Sequence, residues 1–134
     1  GVSHEYVANR VAQIVNKPIE ELKIINCHLG QGASVCAIKN GKSVDTSMGF
    51  TPLGGIPMGT RSGDLDPSIV TFLMKKENLS SDEMDRILNK ESGAFGISGI
   101  SPDIRDIEAE YAEGNHKAIM ALENFAYQVA RLYS

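Results

Sequence analysis

Residues 22–48, LKIINCHLGQGASVCAIKNGKSVDTSM, decide the fold of this chain. Three runs rich in β-branched and apolar residues, Leu22 to His28, Ala33 to Lys39 and Lys42 to Met48, are separated by two turn signals. The first is the glycine pair at 30 and 32; the second is Asn40-Gly41, whose residues accept the positive φ of a tight hairpin turn. The stretch therefore reads as an antiparallel meander. Cys27 and Cys36 flank the first turn and would sit opposite each other on a regular hairpin. Two cysteines are too few for a disulfide scaffold or a four-ligand zinc site, so they read as buried, reduced thiols.

Outward from the meander the chain turns helical. Ser3 precedes a pattern with Val7, Val11 and Ile14 on one face, which predicts an opening helix capped by that serine. After a Gly- and Pro-rich loop from Gly49 to Gly63, Asp66-Pro67 supplies the cap and first-turn proline of a helix ending near Glu77. Ser80 with Glu83 has capping-box spacing for a helix to about Lys90. Ser101-Pro102 starts another, to about Glu113, and the last begins near Asn115 with Ile119, Leu122, Ala126, Val129 and Tyr133 as its stripe. That stripe runs to the last residue without a stop signal, and the first helix begins almost at once, so both ends read as cuts in a longer protein. Strands first and helices after predict an α/β domain, a β-sheet covered by helices.

Composition fixes the broad class. At 134 residues, with 42% hydrophobic and 22% charged residues, the chain fits one soluble globular domain. A net charge of -4 without blocks of like charge argues against a nucleic-acid face. The apolar run from Ile69 to Met74 is far too short to span a bilayer, and no signal segment opens the chain, so the expected location is cytoplasmic, with no membrane partner.

Chemistry concentrates in two loops. Glycines at 30 and 32 let the backbone turn sharply and bare its N–H groups, the geometry that cradles phosphate; the same glycines also suit a plain tight hairpin. The turn is not a P-loop, because no Gly-Lys-Ser/Thr follows and the next element is a strand. His28 ends the first strand where those amides would gather an anion, and an imidazole suits such a ligand; a satisfied structural histidine is the other reading. In 57-PMGTRSGDLDP-67, Arg61 lies between glycines, its forked guanidinium fit for phosphate or carboxylate, or else for a surface pair with Asp64. Asp66, just before Pro67, reads as a cap rather than half of a metal pair with Asp64. His4 reads as structural and His116 as solvated.

The runs NCHLGQGAS, VDTSMGFTPL and MGTRSGDLDP, with GVSHEYV, KESGAFGISG and SPDIRD, closely resemble the acetate kinase family over essentially all of the chain. The resemblance implies a partial ribonuclease-H-like domain, of the actin-like ATPase kind, from a two-domain kinase. It implies residues 1–134 as the start of the second, nucleotide-binding domain of an enzyme that moves the γ-phosphoryl of ATP reversibly to acetate. In those terms His28 and Arg61 contact the transferred phosphoryl group, and Gly30, Gln31 and Gly32 approach the ATP phosphates. Asp103, Ile104 and Arg105 flank the adenosine, and Pro52 borders the acetate pocket. It also implies a homodimer, ATP or ADP as nucleotide, and Mg²⁺ whose ligands lie outside this segment.

Three positions depart from the family pattern. Gln31 stands where Asn is expected, Gly54 where Glu is common, and Ile104 where an aromatic can lie near adenine, keeping apolar contact but losing stacking. The family's catalytic Asp, its second phosphate-contacting Arg and its later adenosine loop fall outside the 134 residues, so the isolated segment is expected to be inactive. A propionate- or butyrate-preferring kinase, or a non-catalytic nucleotide-responsive module, are the alternative readings.

Overall fold

The computed structural model describes residues 1–132. Helix α1 (Val2–Val15) leads through a short 3-10 turn (Ile19–Glu21) into strands β1 (Lys23–Leu29), β2 (Ala33–Lys39) and β3 (Lys42–Thr46). Five helices follow: α2 (Pro67–Lys76), α3 (Ser81–Lys90), α4 (Gly93–Ser98), α5 (Ile104–Ala112) and α6 (His116–Arg131). The strands form one antiparallel sheet in the order β1-β2-β3, the meander read from the sequence. Asn40 and Gly41 take φ of 54° and 76° at its second turn, with Lys39 paired to Lys42. β3 ends two residues earlier than expected, although the Ser47 amide still donates to the Val35 carbonyl.

Period-2 alternation gives β2 two buried faces. Ala33 and Val35 pack with Ile56 and Met58 of the long loop and with Phe125 and Val129 of α6. Cys36 and Ile38, on the other face, pack with Ala8 of α1 and with Ile19 and Ile24. A third cluster joins Ala94, Ile107, Ala118 and Ala121 from α4, α5 and α6. The sheet is thus covered by α1 on one side and by the loop and α6 on the other.

The register corrects the expectation for the cysteines. The loop is centred on Gln31, so Cys27 pairs with Val35 and Cys36 with Asn26, which sends the two sulfurs to opposite faces. No disulfide joins them.

Caps explain most helix boundaries. Asp66 accepts from the Ser68 amide at 2.9 Å ahead of Pro67. Ser80 and Glu83 form a reciprocal capping box, and Asn115 accepts from the Lys117 and Ala118 amides. Other expectations need correction. Ser3 is not a cap, since α1 begins at Val2. The buried positions of α1 are Ala8 and Ala12, while Ile14 is exposed: small residues let the helix sit close to the sheet. α5 starts at Ile104 with Asp103 as its cap, rather than at Ser101-Pro102. α4 had no strong apolar period and was not expected. On α6 the packed side is Ala118, Ala121, Leu122, Phe125 and Val129, with Ala126 exposed; Tyr133 lies outside the described residues.

Candidate active site

The loop Gly30-Gln31-Gly32 is closed by the Gly30 amide donating to the Gly32 carbonyl at 3.0 Å. Neither glycine adopts positive φ. A Cβ on Gly32 would meet nothing within 4 Å, and one on Gly30 would meet mainly the Gly32 carbonyl oxygen, at 3.3 Å. Backbone φ therefore does not demand these glycines; at Gly32 the missing side chain leaves open space over bare peptide groups, whereas at Gly30 a Cβ would crowd the turn's own carbonyl. Among the described residues the Gln31 and Gly32 amides donate to no protein carbonyl, so two N–H groups remain for a ligand.

Gly59 holds this turn against the start of α5. Its amide donates to the Gln31 carbonyl at 3.4 Å, and its carbonyl accepts from the Phe95 amide at 2.8 Å. A Cβ there would lie 2.5 Å from the Pro102 carbonyl oxygen, so a side chain would force apart the turn and the segment leading to Asp103. The resulting cleft has a volume of about 570 Å³, with Leu29, Gly30 and Gln31 on one side, Asp103, Ile104, Arg105 and Glu108 on another, and Phe125 of α6 between. Three regions far apart in sequence thus meet at one cavity.

Asp103 caps α5 by accepting from the Arg105 amide at 2.9 Å, while the Arg105 guanidinium donates to both of its carboxylate oxygens, the shorter contact at 2.6 Å. The guanidinium hydrogen bonds, with the amide bond adding to them, hold the Asp103 carboxyl at about 2, well below its ordinary 3.8. Arg105 rises in turn through the same contacts. The pair forms a planar, charge-assisted unit at the cleft edge.

Arg61 comes from a loop stitched to its surroundings by backbone hydrogen bonds. Met58 N–H reaches the Arg61 carbonyl, Ser62 N–H the Leu88 carbonyl, and Ser92 N–H the Thr60 carbonyl, at 3.0, 3.0 and 2.9 Å. Gly93, at φ 63°, lets α4 run against it: a Cβ there would lie 2.1 Å from the Met58 carbonyl oxygen. The half-buried Arg61 side chain donates to the Met58 sulfur at 3.5 Å, a weak acceptor. The alternative pair with Asp64 does not form; the Asp64 carboxylate instead accepts from the Gly55 amide at 2.7 Å. Among the described residues Arg61 makes no ion pair, which leaves most of its donors for an anion.

His28 is exposed and lies on the α1 side of the sheet, as the register partner of Ser34. Its Nδ1 meets the Ser3 hydroxyl at 3.0 Å. Beside it, His4 is bonded through both nitrogens, Nε2 to the Ser34 hydroxyl and Nδ1 to the Asn26 amide, each at 2.8 Å. Burial lowers the His4 pKa. The cavity thus collects Gly30, Gln31, Asp103, Ile104 and Arg105, whereas Gly32, His28, Arg61 and Pro52 do not line it, and Pro52 is exposed. Sequence reasoning missed Gly59 and Ser3; the flanking glycines of MGTRSG were the available signal for the first, and Ser3 had none beyond its place beside His4.

The fold is that of an α/β protein in which the bare turn beside the cleft and, separately, the Arg61 guanidinium can accept an anion. The profile of the Acetokinase family matches residues 1–134, and the chain belongs to that family. It is 61% identical over 132 residues to acetate kinase of Thermoanaerobacterium thermosaccharolyticum, which covers 98% of this chain and 33% of that relative. The crystal structure of Porphyromonas gingivalis acetate kinase superposes with a TM-score of 0.97 at 44% identity, over 99% of this chain and 33% of the other. A propionate kinase from Francisella tularensis gives 0.94 at 42% identity, over 99% and 34%. The chain therefore spans about a third of the length of the curated relatives it matches. Its fold is that of the corresponding third of those kinases, the partial ribonuclease-H-like α/β arrangement that the resemblance implied.

Proposed function

We propose that residues 1–134 form the first part of the nucleotide-binding domain of an acetate kinase, which transfers the γ-phosphoryl of ATP reversibly to acetate within a longer two-domain chain. The observation that carries this reading is the turn at Gly30–Gly32. Neither glycine is required by φ, Gly32 is not required by packing, the Gln31 and Gly32 amides donate to no carbonyl among the described residues, and the turn faces Asp103, Ile104 and Arg105 across one cleft. ATP fits as the ligand: phosphates against the turn, the nucleoside against Ile104 and the Asp103–Arg105 pair.

Phosphoryl transfer asks mainly for positioning and charge neutralisation. Arg61 and His28 would stabilise the equatorial oxygens of the transferring group while the acetate carboxylate attacks in line and ADP leaves; Pro52 borders the acyl pocket. Mg²⁺, when bound, neutralises nucleotide charge. In this reading the segment acts on the phosphates through the Gln31 and Gly32 amides, Arg61 and His28. The reading includes a cytoplasmic enzyme; among the described residues no helix is long and apolar enough to cross a membrane. It also includes a homodimer, supported by exposed apolar side chains such as Phe50 and Phe72. The likeness to a propionate kinase favours one second reading, a longer acyl acceptor for the same chemistry.

In the full-length enzyme Arg61→Ala should lower kcat by on the order of 10²-fold while ATP affinity changes a few-fold, because the guanidinium meets charge best matched in the transition state. Turnover within a few-fold of wild type would refute its role.

A further inference from the structure

We propose that Ser3 is a positioning residue for His28: its hydroxyl donates to Nδ1 and so holds the proton of the neutral ring on Nε2, the nitrogen that faces the glycine turn. This inference rests on the reading of the turn as a phosphate site. Three observations carry it. Ser3 Oγ lies 3.0 Å from Nδ1, so that nitrogen is turned towards α1. The opposite nitrogen looks the other way: a Cβ built on Gly30 would lie 3.9 Å from Nε2. An exposed imidazole at a strand end would otherwise rotate and exchange tautomers freely, and only an N–H at Nε2 can donate to an anion held over the turn.

The first turn of α1 is anchored well enough to serve as the fixed end of this contact. His4, the next residue, accepts from the Asn26 amide at Nδ1 and donates from Nε2 to the Ser34 hydroxyl. Asn26 and Ser34 belong to the two strands that carry the turn, and Ser34 is paired directly with His28. Ser3 therefore reaches His28 from a backbone already tied to both sides of the hairpin. Ala8, 2% exposed, continues the contact one turn along. The T-shaped arrangement of His4 and His28, with ring centroids 6.4 Å apart, limits the rotation of His28 from the same side.

The test uses the full-length enzyme with Ser3→Ala and Ser3→Thr variants, ¹⁵N NMR of the His28 ring above its titration range, and steady-state kinetics. Wild type and Ser3→Thr should show a ring protonated mainly at Nε2, whereas Ser3→Ala should show averaged tautomers. Ser3→Ala should also lose roughly 10-fold in kcat, in the range of a positioning or proton-handling contact, with ATP KM altered less, and Ser3→Thr should recover most of that loss. Unchanged ring shifts in Ser3→Ala overturn the inference. If the shifts change and turnover does not, Ser3 still sets the ring, and it is the role of His28 in phosphoryl transfer that fails. A general folding defect is distinguished by Ser3→Thr, which keeps the hydroxyl but would not repair a helix that cannot form.

Discussion

At the scale of single residues, the site is governed by which polar groups find partners within the chain and which do not. Among the described residues Asp103 is engaged by Arg105, Arg61 meets a thioether and no carboxylate, and the Gln31 and Gly32 amides donate to no carbonyl. Asp103 gives the most direct check. Its carboxyl titrates at about 2 instead of the ordinary 3.8, so the folded state favours the charged form. Its contribution to stability is complete above 3.8 and disappears as pH falls through about 2. Carboxyl ¹³C NMR should place the wild-type midpoint near 2 and return it towards 3.8 in Arg105→Ala. A wild-type midpoint near the ordinary value would show that the pair does not persist in solution. Since Arg105 is largely exposed, added salt should also weaken the pair.

At the scale of elements, local signals and tertiary packing share the work unequally. α3 is specified almost wholly by its own sequence: Ser80 accepts from Glu83 N–H at 3.1 Å and Glu83 returns the bond to Ser80 N–H at 2.8 Å. Ser80→Ala should cost about 1 kcal/mol, readable as a lowered urea midpoint with unchanged slope; an unchanged midpoint would mean that packing alone fixes the helix start. α4 is the opposite case. Its six residues are held by Ala94 N–H on the Met58 carbonyl and Phe95 N–H on the Gly59 carbonyl, bonds to a loop more than thirty residues earlier. No local pattern announces such an element, which is why the meander and the capped helices were legible in the sequence and α4 was not. The α1 face shows the same limit: Val7 and Val11 are half-buried as periodicity expects, but the fully buried positions are their neighbours Ala8 and Ala12, because close approach to the sheet rewards alanine, and Ile14 is exposed.

At the scale of the whole molecule, the turn, α5 and α6 line one cleft. The cavity beside the turn is open, and apolar side chains remain exposed on several faces, among them Phe50, Ile69, Phe72 and Tyr127. Charge contacts in an open, hydrated site are weak, and transfer needs donor, acceptor and cation held together. The 134-residue chain alone should therefore bind Mg-ATP no tighter than about 1 mM and form no acetyl phosphate. Calorimetry on material shown to be folded by circular dichroism, with an acetyl phosphate assay beside it, tests both statements. Micromolar affinity would mean that the turn and α5 make a self-sufficient nucleotide site.

The sequence by itself determined the meander, its Asn40-Gly41 turn and the caps at Asp66, Ser80 and Asn115, because each depends on a few neighbouring residues whose side chains satisfy nearby backbone groups or permit a particular φ. Its motifs also determined the family. The cleft was decided elsewhere. That Gln31, Gly59 and Pro102 come within touching distance, that Cys27 and Cys36 point apart, and that Ser3 rather than a cap partner meets His28 all follow from register and from contacts between residues 25 or more positions apart. Such contacts become favourable only after the sheet has buried both faces against α1 and α6, and no local rule carries that information.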